Sequence, residues 1–477
     1  MNNFSLSLIL AGLLGGCAIG PDYVRPDITV PDTFIHSETN TSTENTLDVQ
    51  WWKTFNDTAL TQAVEEALNA NHDIQSSQAS VDAVLGQFDQ AKSYLYPQIN
   101  ATGSMNRKSV DNASNGGYQL REGITSTYAG SLSLASYEID LFGKVRRANE
   151  AARASLLSSE YAYQTLKLSI VSNVAASYVK LSSLQRQIEL GRQNVTLNDE
   201  LVALNELKYK HGVIAESVLL QSLSERENAK ATLSQLEAAK SAEEATFNIL
   251  LGRNPSPVHV SSIDTISVPK IPNALPSTVL SRRPDVASAE QKLIAANAKI
   301  GVARAAYFPS IKLTGMLGVQ SIELNDFVSD PARLWEIAPS VSVPIFSAGR
   351  IAGEVKTAEA DRNQSIAQYK KAIVSAFNDT DNAIVQNTRT QEQSAYQTTR
   401  ITAIEKALTQ SKLRYKVGTI SYSDMLLVQQ QWLQASQQHI ISKQNTLIAA
   451  ISLYKALGGG WSDAQTPALP DFLPAGR

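Results

Sequence analysis

The thiol of Cys17 is the side chain in this sequence that is best placed to undergo covalent chemistry. It is the one cysteine among 477 residues, so no disulfide can form within the chain. A short apolar run at residues 6–16 (LSLILAGLLGG) precedes it and ends in two small residues, as a cleaved signal peptide does. The thiol is also a nucleophile that can accept an acyl group. We predict a signal peptide over residues 1–16, a covalent lipid on Cys17 and no other cofactor.

The residues around Cys17 resemble the bacterial lipobox, in which the acylated cysteine becomes the mature N-terminus. Ala18 follows it, and by analogy with that motif a residue other than Asp here favours sorting to the outer membrane. Residues 1–16 depart from the usual signal-peptide pattern because they contain no Lys or Arg. An incidental cysteine in an ordinary signal peptide is the alternative.

The other residues that could carry chemistry are scattered along the chain. The five histidines have no metal-ligand spacing, and there is no phosphate-binding loop or nucleophile elbow. A net charge of −3 gives no basic surface for nucleic acid. The sequence therefore predicts neither an enzyme, nor a metal site, nor a nucleic-acid-binding protein. The histidines are His36, His72, His211, His259 and His439.

A repeat organises the chain. Residues 207–212 (LKYKHG) match residues 413–418 (LRYKVG) at an offset of 206, and around Pro97 and Pro309 the offset is 212. One structural unit is therefore present twice. The six-residue difference must fall between Pro97 and Gly143, and loops are where insertions are tolerated.

Each copy contains a segment that predicts a very long helix. Residues 144–209 and 350–415 contain no proline and almost no glycine, and each would form a helix on the order of 100 Å long. Apolar residues recur every seven positions in the first copy, which indicates supercoiling against neighbouring helices. Gly212 and Gly418 then mark turns, from which a second helix returns. Shorter helices are predicted over residues 59–94 and 284–306.

Alternating patterns predict two strands in each copy, with one apolar face and one polar face as a transmembrane strand requires. The first strands follow Pro97 and Pro309. Four strands cannot close a barrel, because the smallest have about eight. We therefore predict a trimer, with twelve strands and twelve helices around a water-filled channel. The second strands are predicted over residues 126–139 and 334–346, and the polar loops over residues 108–123 and 321–333.

Several motifs together carry a family resemblance. They are residues 17–26 (CAIGPDYVRP), Trp51-Trp52, residues 282–286 (RRPDV) with Ala289-Glu290, Tyr307-Phe308-Pro309, and Pro344-Ile345-Phe346 with Gly349-Arg350. In this order they resemble the TolC-like outer-membrane factor family, specifically its lipoprotein (NodT-type) branch of efflux channels. The resemblance runs nearly end to end, although Thr58 stands where proline is usual.

The resemblance implies a mainly α fold with transmembrane β structure, built from a duplicated unit. It implies a homotrimer whose twelve-stranded outer-membrane β-barrel continues into a twelve-helix periplasmic α-barrel with a mixed equatorial region. Such channels perform no chemistry. They are the passive exit ducts of tripartite efflux pumps in Gram-negative bacteria, and they dock a periplasmic adaptor and an inner-membrane RND-type transporter.

The duplication and the resemblance together define the expected domains. These are a signal peptide (1–16), a lipid-anchored tether and equatorial segment (17–58), repeat 1 (59–252), an inter-repeat equatorial segment (253–279), repeat 2 (280–458) and a C-terminal tail (459–477).

The resemblance also assigns roles at the helical turns. Asp424 matches an aspartate ring that narrows the tunnel and repels anions, and Tyr415 matches a gate tyrosine. A solvated aspartate at a helix start is the alternative for Asp424. The turn residues are implied to contact the adaptor, while glycine at these turns also serves the backbone alone. They are Gly212, Val213, Val417, Gly418 and Thr419.

Two other functions are compatible with parts of this pattern. One is the exit duct of a type I secretion system, against which the lipobox argues. The other is a periplasmic scaffold lipoprotein without a pore, against which the amphipathic strands argue. Nothing in the sequence identifies the substrate.

Overall fold

The computed structural model describes residues 18–28, 33–36, 49–110, 123–269, 271, 276–329 and 331–461. The predicted signal peptide, Cys17 and the tail after Trp461 lie outside the described residues. Across these ranges, no helix is both long enough and apolar enough to cross a membrane. The chain forms two compact units. Unit 1 includes residues 81–159 and 288–369, and unit 2 includes residues 160–287 and 370–461.

Helices dominate the described residues. They are α1 (Thr58–Ala70), α2 (His72–Ser93), α3 (Lys144–Lys210), α4 (Glu216–Leu250), α5 (Pro276–Arg282), α6 (Pro284–Ala305), α7 (Leu324–Ser329), α8 (Arg350–Lys416) and α9 (Tyr422–Ala456), with a 3₁₀-helix at Trp51–Phe55. The strands are β1 (Ile99–Val110), β2 (Gly123–Ile139), β3 (Ser310–Ser321) and β4 (Ala332–Ser342).

The duplication predicted from the sequence is present in the helices. Helices α3 and α8 are each 67 residues long, and α4 and α9 are each 35 residues long. At about 1.5 Å per residue, α3 and α8 each extend about 100 Å. The predicted starts at Lys144 and Arg350 are correct, because a glycine with positive φ precedes each helix and breaks the backbone there.

The four strands form one antiparallel sheet in unit 1, in the order β1-β2-β3-β4. Ile99 of β1 lies opposite Leu134 of β2, and Ser310 of β3 lies opposite Ser342 of β4. Strands β1 and β4 are therefore the two edges of the sheet. Pro339 lies in β4, and an edge strand is where a sheet tolerates a residue without an N–H group.

Three details of the predicted secondary structure were wrong. The helix predicted over residues 59–94 is two helices, because Asn71 adopts extended ψ and its side-chain oxygen accepts the N–H groups of Asp73 and Ile74. The loop predicted over residues 321–333 contains α7. The strand predicted to reach Phe346 ends at Ser342, two residues before Pro344, which cannot donate to a ladder.

The largest hydrophobic core of unit 2 lies where the 3₁₀-helix and α1 pack on the long helices. Trp51 is fully buried and stacks on Tyr454, with ring centroids 5.2 Å apart. Asp57 caps α1 by accepting the Leu60 N–H, and it also accepts the buried Tyr178 hydroxyl at 3.1 Å. A shared carboxylate thus joins the start of α1 to α3.

The N-terminal residues of unit 1 lie extended along α6. The Arg25 guanidinium makes two bonds to the Glu290 carboxylate, at 2.7 and 2.8 Å, and the Tyr23 hydroxyl donates to the same group at 3.0 Å. Further along, the Asn297 side chain donates to the Pro21 carbonyl at 2.8 Å. Polar contacts therefore hold the segment that follows Cys17.

Candidate gate and docking site at the helical tips

Two helical hairpins, α3–α4 and α8–α9, turn at equivalent positions of the two repeats, and both turns lie in unit 2. Gly212 and Gly418 have φ of +70° and +80°. In the first turn the Gly212 N–H donates to the Tyr209 carbonyl and the Val213 N–H donates to the Lys208 carbonyl. This pair of bonds is the Schellman arrangement, which satisfies the last carbonyls of a helix.

The second turn repeats this arrangement with Gly418 and Thr419. Open space surrounds the position of a Cβ atom at both glycines, so positive φ alone explains the residue type. Gly212 and Gly418 therefore allow the backbone to turn, and a contact with a partner would be made by the side chains of the residues beside them.

The turns expose apolar side chains. Val213 is 68% exposed and Val417 is 64% exposed, and Leu207 and Leu413 just before the turns are also exposed. Thr419 is exposed too, and its hydroxyl donates to the Arg414 carbonyl. Each tip thus exposes a valine beside its turn glycine and a leucine just before the turn, and these side chains form a surface that a partner could cover.

Tyr415 is buried, although its counterpart in the first repeat is not. Tyr415 is 4% exposed and Tyr209 is 43% exposed. The Tyr415 hydroxyl donates to Asn205 Oδ1 at 2.5 Å, and Lys208 Nζ lies 3.8 Å from the centroid of the Tyr415 ring. Tyr415 thus ties α8 to α3 by a hydrogen bond and a cation–π contact.

Burial also shifts the pKa values of Tyr415 and Lys208. It raises the pKa of Tyr415 and lowers the pKa of Lys208. The phenol therefore remains a neutral hydrogen-bond donor across the physiological range. A small apolar cluster surrounds it, made of Leu197, Leu201, Tyr422, Met425 and Leu426.

Asp424 is exposed and forms a capping box with Ser421. The Ser421 hydroxyl accepts the Asp424 N–H at 3.1 Å, and the Asp424 carboxylate accepts the Ser421 N–H at 3.2 Å. Hydrogen bonds from Ser421 lower the pKa of Asp424 from its ordinary value, so this carboxylate is charged at neutral pH. Asp424 therefore has the helix-start role that was the alternative from the sequence, and its carboxylate remains charged and exposed.

The two tips differ in chemistry at these positions. The first repeat has Ala215 at the helix start, with no side-chain cap, and Val218 in place of Asp424. The structure thus brings Tyr415 and Asp424 close to the same turn of the second hairpin, and the first hairpin contributes Asn205 and Lys208 as partners of Tyr415.

Buried polar residues that the sequence did not predict lie between the hairpins. Asn194 and Asn198 on α3 are buried, and the buried Gln429 side chain on α9 donates to their side-chain oxygens at 3.4 and 3.3 Å. The seven-residue spacing of Asn198 and Asn205 on α3 is the signal that could have found this polar stripe.

Comparison with known proteins identifies the family. The model of a family described as "Outer membrane efflux protein" matches residues 63–253 and 275–459. The chain belongs to this family. The family resemblance found in the sequence is therefore confirmed, and this outer membrane efflux protein acts in transport across the outer membrane.

Its relatives span nearly its whole length. It is 32% identical over 470 residues to the probable efflux pump outer membrane protein TtgC of Pseudomonas putida, covering 97% of this chain and 96% of that one. It is 31% identical to the probable outer membrane lipoprotein SilC of Salmonella typhimurium, covering 96% of this chain and 98% of that one.

Solved structures give the same result. The open-state MtrE outer membrane channel of Neisseria gonorrhoeae superposes with a TM-score of 0.82 at 28% identity, covering 93% of this chain and 98% of that one. The fold class predicted from the sequence, that of an outer-membrane channel with long helices and a β-sheet, is confirmed. The roles of Tyr415, Asp424 and the turn residues stay predictions.

Proposed function

We propose that this outer membrane efflux protein is a homotrimeric channel and the passive exit duct of a tripartite pump. It docks a periplasmic adaptor and an inner-membrane RND-type transporter, which supplies the energy. The observation that carries the proposal is that one chain contains both an amphipathic four-stranded sheet, with edge strands β1 and β4, and two long helical hairpins.

The free edges require further copies of the chain. An edge strand in hydrocarbon leaves backbone N–H and C=O groups without partners, and each such group costs several kcal/mol. Four strands cannot curve into a closed barrel, since the smallest barrels have about eight. Three copies supply twelve strands, which close a barrel, and twelve long helices, which form the wall of a periplasmic tunnel.

The helical tips are the gate in this proposal. Three Tyr415–Asn205 bonds hold the second hairpins against the first, and three Asp424 carboxylates form a ring at the narrow end of the tunnel. The ring disfavours anions and binds cations while the tunnel is closed. The exposed residues Val213, Val417 and Thr419, carried on the turns at Gly212 and Gly418, form the surface for the adaptor.

The lipid on Cys17 is the anchor in the outer membrane. Its support is the motif around Cys17 and the name of one relative, SilC, as an outer membrane lipoprotein. A Cys17→Ser variant is expected to lose the acyl groups, because a hydroxyl does not replace the thiol in lipoprotein processing. Intact mass spectrometry of both forms checks this. A variant that carries the same lipid mass as the wild type would remove the lipoprotein proposal.

Reconstitution in planar bilayers tests the channel itself. A passive duct conducts ions without an energy source, whereas a scaffold lipoprotein does not. The type I secretion alternative has the same conductance and differs in its partners, so pull-down with an RND-type adaptor separates the two. The efflux function is favoured because TtgC, at 32% identity, is named as an efflux pump protein.

A further inference from the structure

The sheet of unit 1 exposes large apolar side chains at one end of each edge strand. After β4 ends at Ser342, Ile345 is 91% exposed and Phe346 is 89% exposed. Immediately before β1 begins at Ile99, Tyr94 and Tyr96 are also exposed. In the part of the chain that the structure describes, no neighbour removes either group from water, and adjacent exposed apolar residues indicate a surface that another molecule covers.

A cavity lies beside the second group. It has a volume of about 520 Å³ and lies between the end of α2, the bases of β1 and β2, and the start of α3. Its walls are mostly apolar but include Lys312, and Lys144 is bound to Glu138 at 3.2 Å. This charged pair is therefore already satisfied within the chain. The apolar wall includes Ala91, Tyr94, Tyr96, Tyr137, Val145 and Val302.

The strand order decides which molecule reaches this cavity. The strands are antiparallel and even in number, so β1 and β4 run in opposite directions. When β4 of one copy pairs with β1 of the next, that pairing is antiparallel as well. The end of β4 then lies beside the start of β1, and the residues that follow β4 lie at the level of those that precede β1.

We propose that Ile345 and Phe346 insert into the tyrosine-lined cavity of the next copy of this chain. The inference rests on the proposed homotrimer and names the contact that closes it. Backbone pairing of β4 with β1 satisfies the edges. This contact adds specificity, because two exposed apolar side chains are buried only where the neighbouring copy offers a complementary cavity. In the trimer this contact occurs three times, at the periplasmic end of the barrel.

Photocross-linking tests the contact directly. The photoreactive residue p-benzoylphenylalanine replaces Phe346, which keeps an aromatic ring at an exposed position, in full-length protein assembled from isotope-labelled and unlabelled chains. The expected result is a cross-link between copies, in mixed-isotope pairs, to the peptide that contains Tyr94 and Tyr96. The same photoreactive residue at Val328, which lies in α7 near the other end of the sheet, is the control and is expected to give no such cross-link.

The outcomes separate this inference from the proposed function. Cross-links only to lipid or detergent, or only within one copy, in a preparation that is trimeric and conducts ions, would overturn the contact and leave the channel intact. A monomer that neither cross-links nor conducts would overturn both.

Two substitutions test the chemistry of the contact. Phe346→Lys is expected to shorten the lifetime of the trimer in dodecyl sulfate by at least about tenfold, because an ammonium group cannot enter a mostly apolar cavity whose wall already carries Lys312. Phe346→Leu is expected to keep that lifetime within about twofold, since it remains apolar. Equal lifetimes for the Lys variant and the wild type would contradict the contact.

Discussion

Replacement of Tyr415 by Phe is expected to raise the open probability of the channel by about two orders of magnitude. The substitution removes the hydroxyl that donates to Asn205 and leaves a buried acceptor unpaired. Loss of a buried hydrogen bond costs about 1 kcal/mol or more in the state that contains it. Three such losses act together if the three tips open in concert, and about 3 kcal/mol changes an equilibrium constant by a factor of about 100.

The first repeat supplies a matched control for this variant. Tyr209 occupies the position equivalent to Tyr415 but is half exposed. Tyr209→Phe is therefore expected to leave the open probability within about twofold of the wild type. Single-channel recording measures both variants. If Tyr415→Phe behaves like Tyr209→Phe, then the Tyr415–Asn205 bond does not hold the gate.

Charges at the two tips are expected to abolish docking of the adaptor. The double variant Val213→Asp, Val417→Asp places a carboxylate on each hairpin turn, where apolar side chains are now exposed. Burying a valine contributes about 1.5 kcal/mol or more, and a buried unpaired charge costs still more. We expect affinity for the adaptor to fall by at least about a hundredfold and efflux by the assembled pump to be lost.

This effect must come from docking and not from misfolding. Both positions are exposed and lie beside a turn glycine, Val213 after Gly212 and Val417 before Gly418, so channel conductance is expected to remain near that of the wild type. Val328→Asp, at a valine in α7 that is also exposed, is the control and is expected to preserve both docking and efflux. Normal binding of the double variant to the adaptor would place the docking surface elsewhere.

The long helices were predictable because their signals are local. Proline is absent from each of the two long segments, and glycine with positive φ lies at their ends, so the backbone alone fixes where they start and turn. The repeat then added a second, independent copy of each signal. The strands were predictable for the same reason, since alternation is a property of neighbouring residues.

The features that the sequence did not predict depend on tertiary contacts. Asn71 divides the helix predicted over residues 59–94 because its side chain caps α2 and also donates to the Leu250 carbonyl, far away in sequence. Tyr415 and Tyr209 occupy equivalent positions in similar segments, yet only Tyr415 is buried. The ring of Tyr422 packs against Tyr415, and the first repeat has Glu216 at the equivalent position.

The site at the tips was predicted only in part. The resemblance indicated Tyr415 and Asp424 but not the residues that Tyr415 contacts, because Asn205 and Lys208 lie on the other hairpin. The buried contact of Gln429 with Asn198 was missed for the same reason. Polar residues inside a helical interface restrict the register in which the helices pack, so this contact holds α9 at one height on α3.

Conductance across a planar bilayer tests whether three copies of this chain enclose a continuous passive duct. Purified full-length protein, with no adaptor, transporter or energy source, is added to a bilayer between salt solutions. We expect discrete conductance steps that favour cations and become larger or more frequent with Tyr415→Phe. Recovery of the protein from the membrane shows that it has inserted. Inserted protein that gives no steps beyond the detergent blank, in either form, would contradict the proposed channel.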